Sequence, residues 1–236
     1  MKTALVTGAT RGIGKTIALK LASLQYEMII VGRSKQRLKK IEAEIAGMGR
    51  RCLALEADLS REETPEKLIR DAVAHFGQLD VLVNNAGLAQ AGPVAGITPE
   101  RWNQIFAINA RAPFFLCKAA IPVMKESPNP VIINIGSVVG FKGYINQSVY
   151  SSSKHALAGF TKVLAKEVQP DGIKVHLISP GGVNTEMVRQ TRPDINTDEL
   201  IQPEEIAEIV SFLVTRKGKG TIDHFYIRRQ SGLAFD

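Results

Sequence analysis

Short apolar runs alternate with longer amphipathic stretches from one end of this chain to the other, and that alternation restricts its architecture more than any other feature. A run too short for a helix and apolar at nearly every position is a strand covered on both faces. A stretch with apolar residues three and four apart is a helix laid against the sheet. Strands joined through helices run parallel, since the crossover brings the chain back to the same end of the sheet. The candidate strands are residues 3–7, 27–31, 51–56, 79–83, 131–135, 174–178 and 221–227. Two helix starts carry explicit signals: Ser60 with Glu63 forms a capping box, and Thr98 followed by Pro99 gives an N-cap with proline in the first turn. The expectation is an α/β fold with a seven-stranded parallel sheet and helices on both faces.

No linker, repeat or low-complexity tract interrupts the pattern, so the 236 residues read as one domain, 1–236. No apolar run approaches the ~18 residues a membrane helix needs. The start MKTALVTGATRG turns glycine-rich too early for a signal peptide. A cytoplasmic protein with no membrane partner is expected. Cys52 and Cys117 sit in apolar surroundings without metal-ligand spacing, which reads as two buried thiols; no metal site is expected. The net charge of +7 is concentrated in two places. Between Arg33 and Arg51 seven basic residues oppose Glu42 and Glu44, on a segment whose other side carries Leu38, Ile41, Ile45 and Met48; Arg216 to Arg229 holds five against Asp223. No aromatic residues are interleaved with the first cluster, so it reads as a solvated helix face, and nucleic acid is not an expected partner.

The first strand runs into Thr7-Gly-Ala-Thr-Arg-Gly-Ile-Gly14 and then a helix. Glycines at 8, 12 and 14 let the backbone turn tightly and approach a pyrophosphate, which the free amides of the helix start stabilise. No Lys-Ser/Thr pair stands where a triphosphate loop would need it, which disfavours ATP chemistry. Tyr150 and Lys154 are four residues apart in a helical segment, so both project from one face. A neighbouring ammonium lowers a phenol's pKa, and Tyr150 then suits general acid and base work. Ser137 follows strand 131–135 at its carboxyl end, where ligands bind in open α/β sheets.

Thr7-Gly8-x-x-x-Gly12-Ile-Gly14, Asn84-Asn-Ala-Gly87, Asn109, Ser137, Tyr150-x-x-x-Lys154 and Pro180-Gly181, in this order, resemble the short-chain dehydrogenase/reductase family over residues 1 to about 215, nearest to its 3-oxoacyl-carrier-protein reductase-like members. The resemblance implies a doubly wound Rossmann fold and hydride transfer between a nicotinamide and a carbonyl or alcohol. It implies Asn109, Ser137, Tyr150 and Lys154 as catalytic residues, with Asn109 anchoring a water that links Lys154 to solvent. For the cofactor it implies Gly8, Thr10, Arg11, Gly12, Ile13 and Gly14 in the first turn, Asp58 and Leu59 at the adenine, and Asn85, Ala86 and Gly87 beneath the adenosine. Tyr150 and Lys154 recur there, with Pro180, Gly181, Val183 and Thr185 at the nicotinamide. His75, His155, His176 and His224 match no family position and read as structural or solvated.

The end of the second strand reads Val31-Gly32-Arg33-Ser34, without the acid an NAD site places there, and Arg33 with Arg11 suits a 2′-phosphate, so NADP(H) is the expected cofactor. A 3-oxoacyl thioester or similar β-keto compound is the expected substrate, with a small free ketone or alcohol as the alternative. A non-catalytic dinucleotide-binding regulator is the competing reading from another class. Residues 185–203 form the expected lid, with Met187, Val188, Arg189 and Arg192. The tail departs from the common family pattern, ending in Arg228-Arg229-Gln-Ser-Gly where a glycine-rich turn is usual. A homotetramer or homodimer is expected to pair through Phe106, Phe114, Phe115 and Ala119 on one helix and Ala156, Phe160 and Leu164 on another.

Overall fold

Seven parallel strands make up the sheet: β1 (Lys2–Thr7), β2 (Tyr26–Gly32), β3 (Cys52–Glu56), β4 (Val81–Asn84), β5 (Val131–Ile135), β6 (Lys174–Pro180) and β7 (His224–Ile227). They lie in the order β3-β2-β1-β4-β5-β6-β7 in a computed structural model that describes residues 1–191 and 195–232. The order reverses between β1 and β4, so a crevice opens at the carboxyl ends of those two strands. The connecting helices are α1 (Gly12–Ser23), α2 (Lys35–Gly47), α3 (Thr64–Phe76), α4 (Pro99–Phe106), α5 (Ala112–Met124), α6 (Ser148–Glu167), α7 (Glu186–Thr191) and α8 (Pro203–Thr215).

Alternate strand residues feed two separate cores, one on each face. Ala4, Val6, Met28 and Ile30 pack under α1, α2 and α8; Leu5, Ile29, Val31 and Leu82 pack under α3, α5 and α6. Both sets are fully buried, which explains why the strands read as unbroken apolar runs. The parallel α/β sheet expected from the alternation, and the Rossmann architecture that the resemblance implied, are the ones observed.

Several local expectations need correction. Ser60 does not cap a helix: α3 starts at Thr64, Glu63 provides no side-chain cap, and residues 59–63 are turns. Arg111, from a distant part of the chain, holds the Ser60 carbonyl and pairs with Glu62 at 2.8 Å, fixing this segment as turns. β7 begins at His224, because the Ile222 carbonyl is occupied by the His176 ring at 2.7 Å. Met48 is exposed beyond the end of α2, and Leu164 belongs to the inner core and not to an outer face. Cys52 is only half-buried, with its thiol pushed up to about 12 by burial, whereas Cys117 is fully buried; both are free. Thr98 does cap α4, accepting from the Arg101 amide at 3.3 Å.

Residues Pro99–Met124 form a continuous helical run that is long and apolar enough to cross a membrane by length and composition, but half of its apolar 18-residue part is buried inside the fold. Leu116, Cys117, Ala120 and Met124 anchor it as a core helix. Between α4 and α5 the run passes through a π-helical turn, Ala107–Arg111, where the Ala112 amide donates to the Ala107 carbonyl. This wider turn places Asn109.

Candidate active site

A groove of about 540 Å³ runs over the carboxyl ends of the strands from α2 to α6. At its centre β1 passes into the glycine turn. Gly8 has φ +65, and a Cβ there would lie 2.9 Å from the Ala86 Cα; one on Gly14 would lie 2.3 Å from the Gly8 carbonyl oxygen. These close approaches exclude side chains and leave the cradle to a ligand. α1 starts with no side-chain cap on Arg11 and no acid in its first turn, so its leading amides remain available to an anion. Thr7 and Asn85 lock the cradle to the end of β4. The Thr7 hydroxyl accepts from the Asn85 and Ala86 amides at 3.0 and 3.1 Å, and the Asn85 side chain donates to the Thr7 carbonyl at 2.9 Å.

Thr10, Arg11, Gly12, Ile13, Arg33, Asp58, Leu59, Ala86 and Gly87 line the same groove, with Pro180, Gly181, Val183 and Thr185 at its other end. Asp58 accepts from the Ser60 amide at 2.9 Å, and this bond holds its carboxyl below the usual range, with Arg33 adding a smaller pull. Asp58 therefore organises its own turn as well as facing the groove.

Ser137 follows β5 and starts a short 3-10 turn, accepting from the Val139 amide at 3.3 Å. Tyr150, on α6, lines the same end of the groove. Lys154, one turn later, is 4% exposed and donates to the Ile135 carbonyl at 2.8 Å. Burial lowers the Lys154 ammonium to about 8. The Tyr150 phenol behaves contrary to expectation: burial raises it above its ordinary value, and the nearby Ser137 hydroxyl only partly opposes the rise. The ammonium lies 5.9 Å from the Tyr150 ring centre. The phenol thus keeps its proton near neutral pH, as a proton donor must.

Asn109 does not line the groove. It is fully buried behind it, its amide accepting from the Leu88 amide and donating to the Leu88 carbonyl, both at 2.8 Å, and to Ser153 at 3.0 Å. This clamps the backbone after Gly87, where a Cβ would sit 3.5 Å from the Asn109 side-chain oxygen Oδ1 and 3.8 Å from the Lys154 Nζ.

Sequence reasoning missed other groove residues. Arg37, taken as part of a solvated face, lines the groove, and so does Glu186 at the start of α7. Glu186 pairs with Arg11 and lies 3.6 Å from Arg37, and Arg11 chiefly holds its carboxyl below the usual range. Charge and helical spacing pointed to Arg37; no local signal pointed to Glu186. Gly32 was read for its lack of acidity, yet its missing Cβ also admits Thr10, whose methyl would lie 2.3 Å away. In the segment expected to form a lid, Arg189 binds the Asn184 side-chain oxygen at 2.7 Å; Arg192 lies outside the described residues.

Residues 2–196 match the model of the short chain dehydrogenase family. The chain is 35% identical over 221 residues to a 3-oxoacyl-[acyl-carrier-protein] reductase from Aquifex aeolicus, covering 90% of this chain and 89% of that one. It is 39% identical over 189 residues to a D-beta-hydroxybutyrate dehydrogenase from Cupriavidus necator, covering 80% and 73%. Among solved structures, an alcohol dehydrogenase from Thermococcus sibiricus complexed with 5-hydroxy-NADP superposes with a TM-score of 0.91 at 27% identity, covering 99% of both chains.

Proposed function

The chain belongs to the short-chain dehydrogenase family, and from that premise we propose that it reduces a ketone to a secondary alcohol with NADPH, the ketone being a 3-oxoacyl thioester or a similar β-keto compound. The observation that carries this reading is the meeting of Ser137, Tyr150 and Lys154 at one end of a groove whose centre is a side-chain-free anion cradle. NADPH, when bound, supplies the hydride. The Ser137 hydroxyl orients the carbonyl oxygen, and the Tyr150 phenol gives the proton that the developing alkoxide needs. Lys154 returns a proton to Tyr150 and would help hold the cofactor, while Asn109 holds the Gly87-Leu88 backbone in place and would anchor the water that links Lys154 to solvent.

The cofactor preference is supported by the basic end of the groove. Arg33, Arg37 and Arg11 stand there, and the end of β2 has no acid to bind an unphosphorylated ribose. The β-keto class is supported by the relatives' names: a 3-oxoacyl group and β-hydroxybutyrate both carry the reacting oxygen on the carbon β to a carboxyl-level carbon. The whole chain, 1–236, is taken as one functional unit acting in the cytoplasm as a homo-oligomer. Phe114, 45% exposed, and Phe160 pack with ring centres 4.8 Å apart, tilted by 43°, on the face suited to pairing. Light scattering checks the assembly, where a mass of one 25.7 kDa chain would remove it.

Tyr150→Phe tests the chemistry. Turnover is expected to fall by about 10²-fold or more, with NADPH binding by fluorescence nearly unchanged; retention of a tenth of the turnover would reject the assignment. Arg33→Asp is expected to shift the NADPH-to-NADH ratio of kcat/KM towards NADH.

A further inference from the structure

Beside Ser137 and Tyr150 a second cavity, of about 180 Å³, opens against α7, from which Met187, Val188 and Thr191 line it. Its volume corresponds to roughly six waters at ~30 Å³ each, well below the ~300 Å³ at which drug-sized sites begin. Among the described residues no Asp or Glu lines it, whereas Arg228, Arg229 and Lys142 do. The arginine pair is the motif that replaces a glycine-rich tail, and it is built into the site. Gly181 donates to the Ile227 carbonyl at 2.7 Å, and a Cβ on Gly181 would lie 3.5 Å from the Arg229 amide nitrogen. The segment after β7 is thus packed on the turn that also lines the cofactor groove.

The guanidinium groups are held differently. Arg229 is 3.5 Å from Glu199, whose carboxylate also accepts from Ser231 at 2.8 Å and lies outside the cavity lining. Arg228 donates to three backbone carbonyls, those of Arg229, Gln230 and Gly232, at 3.0, 3.1 and 2.8 Å. Carbonyls fix a guanidinium in place without cancelling its charge. No carboxylate among the described residues pairs with Arg228. Among the described residues, the two guanidinium groups give the small cleft a positive wall that no lining carboxylate offsets, and such a wall is complementary to an anion.

We propose that Arg228 and Arg229 read a carboxylate on the substrate, making the preferred ketone a short free β-keto acid and not a thioester. This rests on the β-keto reading above and narrows it. A four-carbon keto acid has a size suited to the cavity, whereas the long arm of a thioester would have to leave it.

Two measurements separate the ideas. In steady-state assays with NADPH, kcat/KM for acetoacetate is expected to exceed that for methyl acetoacetate and acetoacetyl-CoA at least tenfold. Arg228→Gln should lower the acetoacetate-to-ester ratio at least tenfold through KM, and Arg228→Lys, which retains charge, should lower it less. Calorimetry on the NADPH complex needs no turnover: butyrate is expected to bind at least tenfold more tightly than butyramide, and Arg228→Gln and Arg229→Gln, checked for folding by thermal melts, should each abolish that difference. Equal binding of butyrate and butyramide, or a wild-type preference for ester or thioester, would overturn the anion-reading wall. Butyrate discrimination without reduction of any ketone would instead overturn the reaction assigned above while leaving the wall standing.

Discussion

At the residue scale, Lys154 combines the chemical role proposed for it with a cost to the fold. Its ammonium is lowered to about 8 from 10.5 because it is buried. Between those values the unfolded chain binds more protons than the folded one, so this group makes stability rise as pH increases across that window; below about 8 the full cost of the buried charge is present. That cost is on the order of 3 kcal/mol, larger than the ~1 kcal/mol net value of the bond to Ile135. Lys154→Met is therefore expected to be inactive yet more stable than wild type in urea at pH 7, with the difference shrinking by about pH 10. Reduction by the wild-type chain is expected to slow as pH rises through about 8 and the lysine loses its proton. The spacing of Tyr150 and Lys154 was legible in the sequence because helical geometry fixes it. The direction of the tyrosine's shift was not, since it depends on how deeply distant segments bury the phenol.

At the element scale, α7 is tied to the groove proposed for the cofactor by one carboxylate. Glu186 joins Arg11 and Arg37, the side chains that a 2′-phosphate would attract. All three are about half exposed, where ion pairs are weak and screened by salt. Glu186→Gln is expected to tighten NADPH a few-fold and NADH hardly at all in fluorescence titrations, with the gap closing at high salt; equal effects on both cofactors would show that the carboxylate does not compete with the phosphate. Other elements show where reading the chain stops. Strand β5 lies where its apolar run placed it, but Ser60 and Glu63 resemble a cap and are turns, because Arg111 reaches back to them. The π turn at Ala107–Arg111 has no sequence signature either, since Ala-Ile-Asn-Ala-Arg suits an ordinary helix. Asn109 was identified by resemblance, and its clamp on Leu88 became visible only in three dimensions.

At the scale of the molecule, the seven-stranded sheet was legible because buried parallel strands leave unbroken apolar runs, whereas nothing local showed which helices share a face. The site straddles that division. The glycine cradle opens α1, which packs in one core; Tyr150 and Lys154 ride on α6, whose Leu164 packs in the other. Each layer can then open on its own, with its own free energy, in the ligand-free protein. A bound dinucleotide touches both and stitches them into one cooperative unit. Native-state hydrogen exchange should show this directly. Leu116→Ala is expected to speed exchange in α3 and α5 but not in α1 and α8 without NADPH, and in all four helices once NADPH saturates the groove.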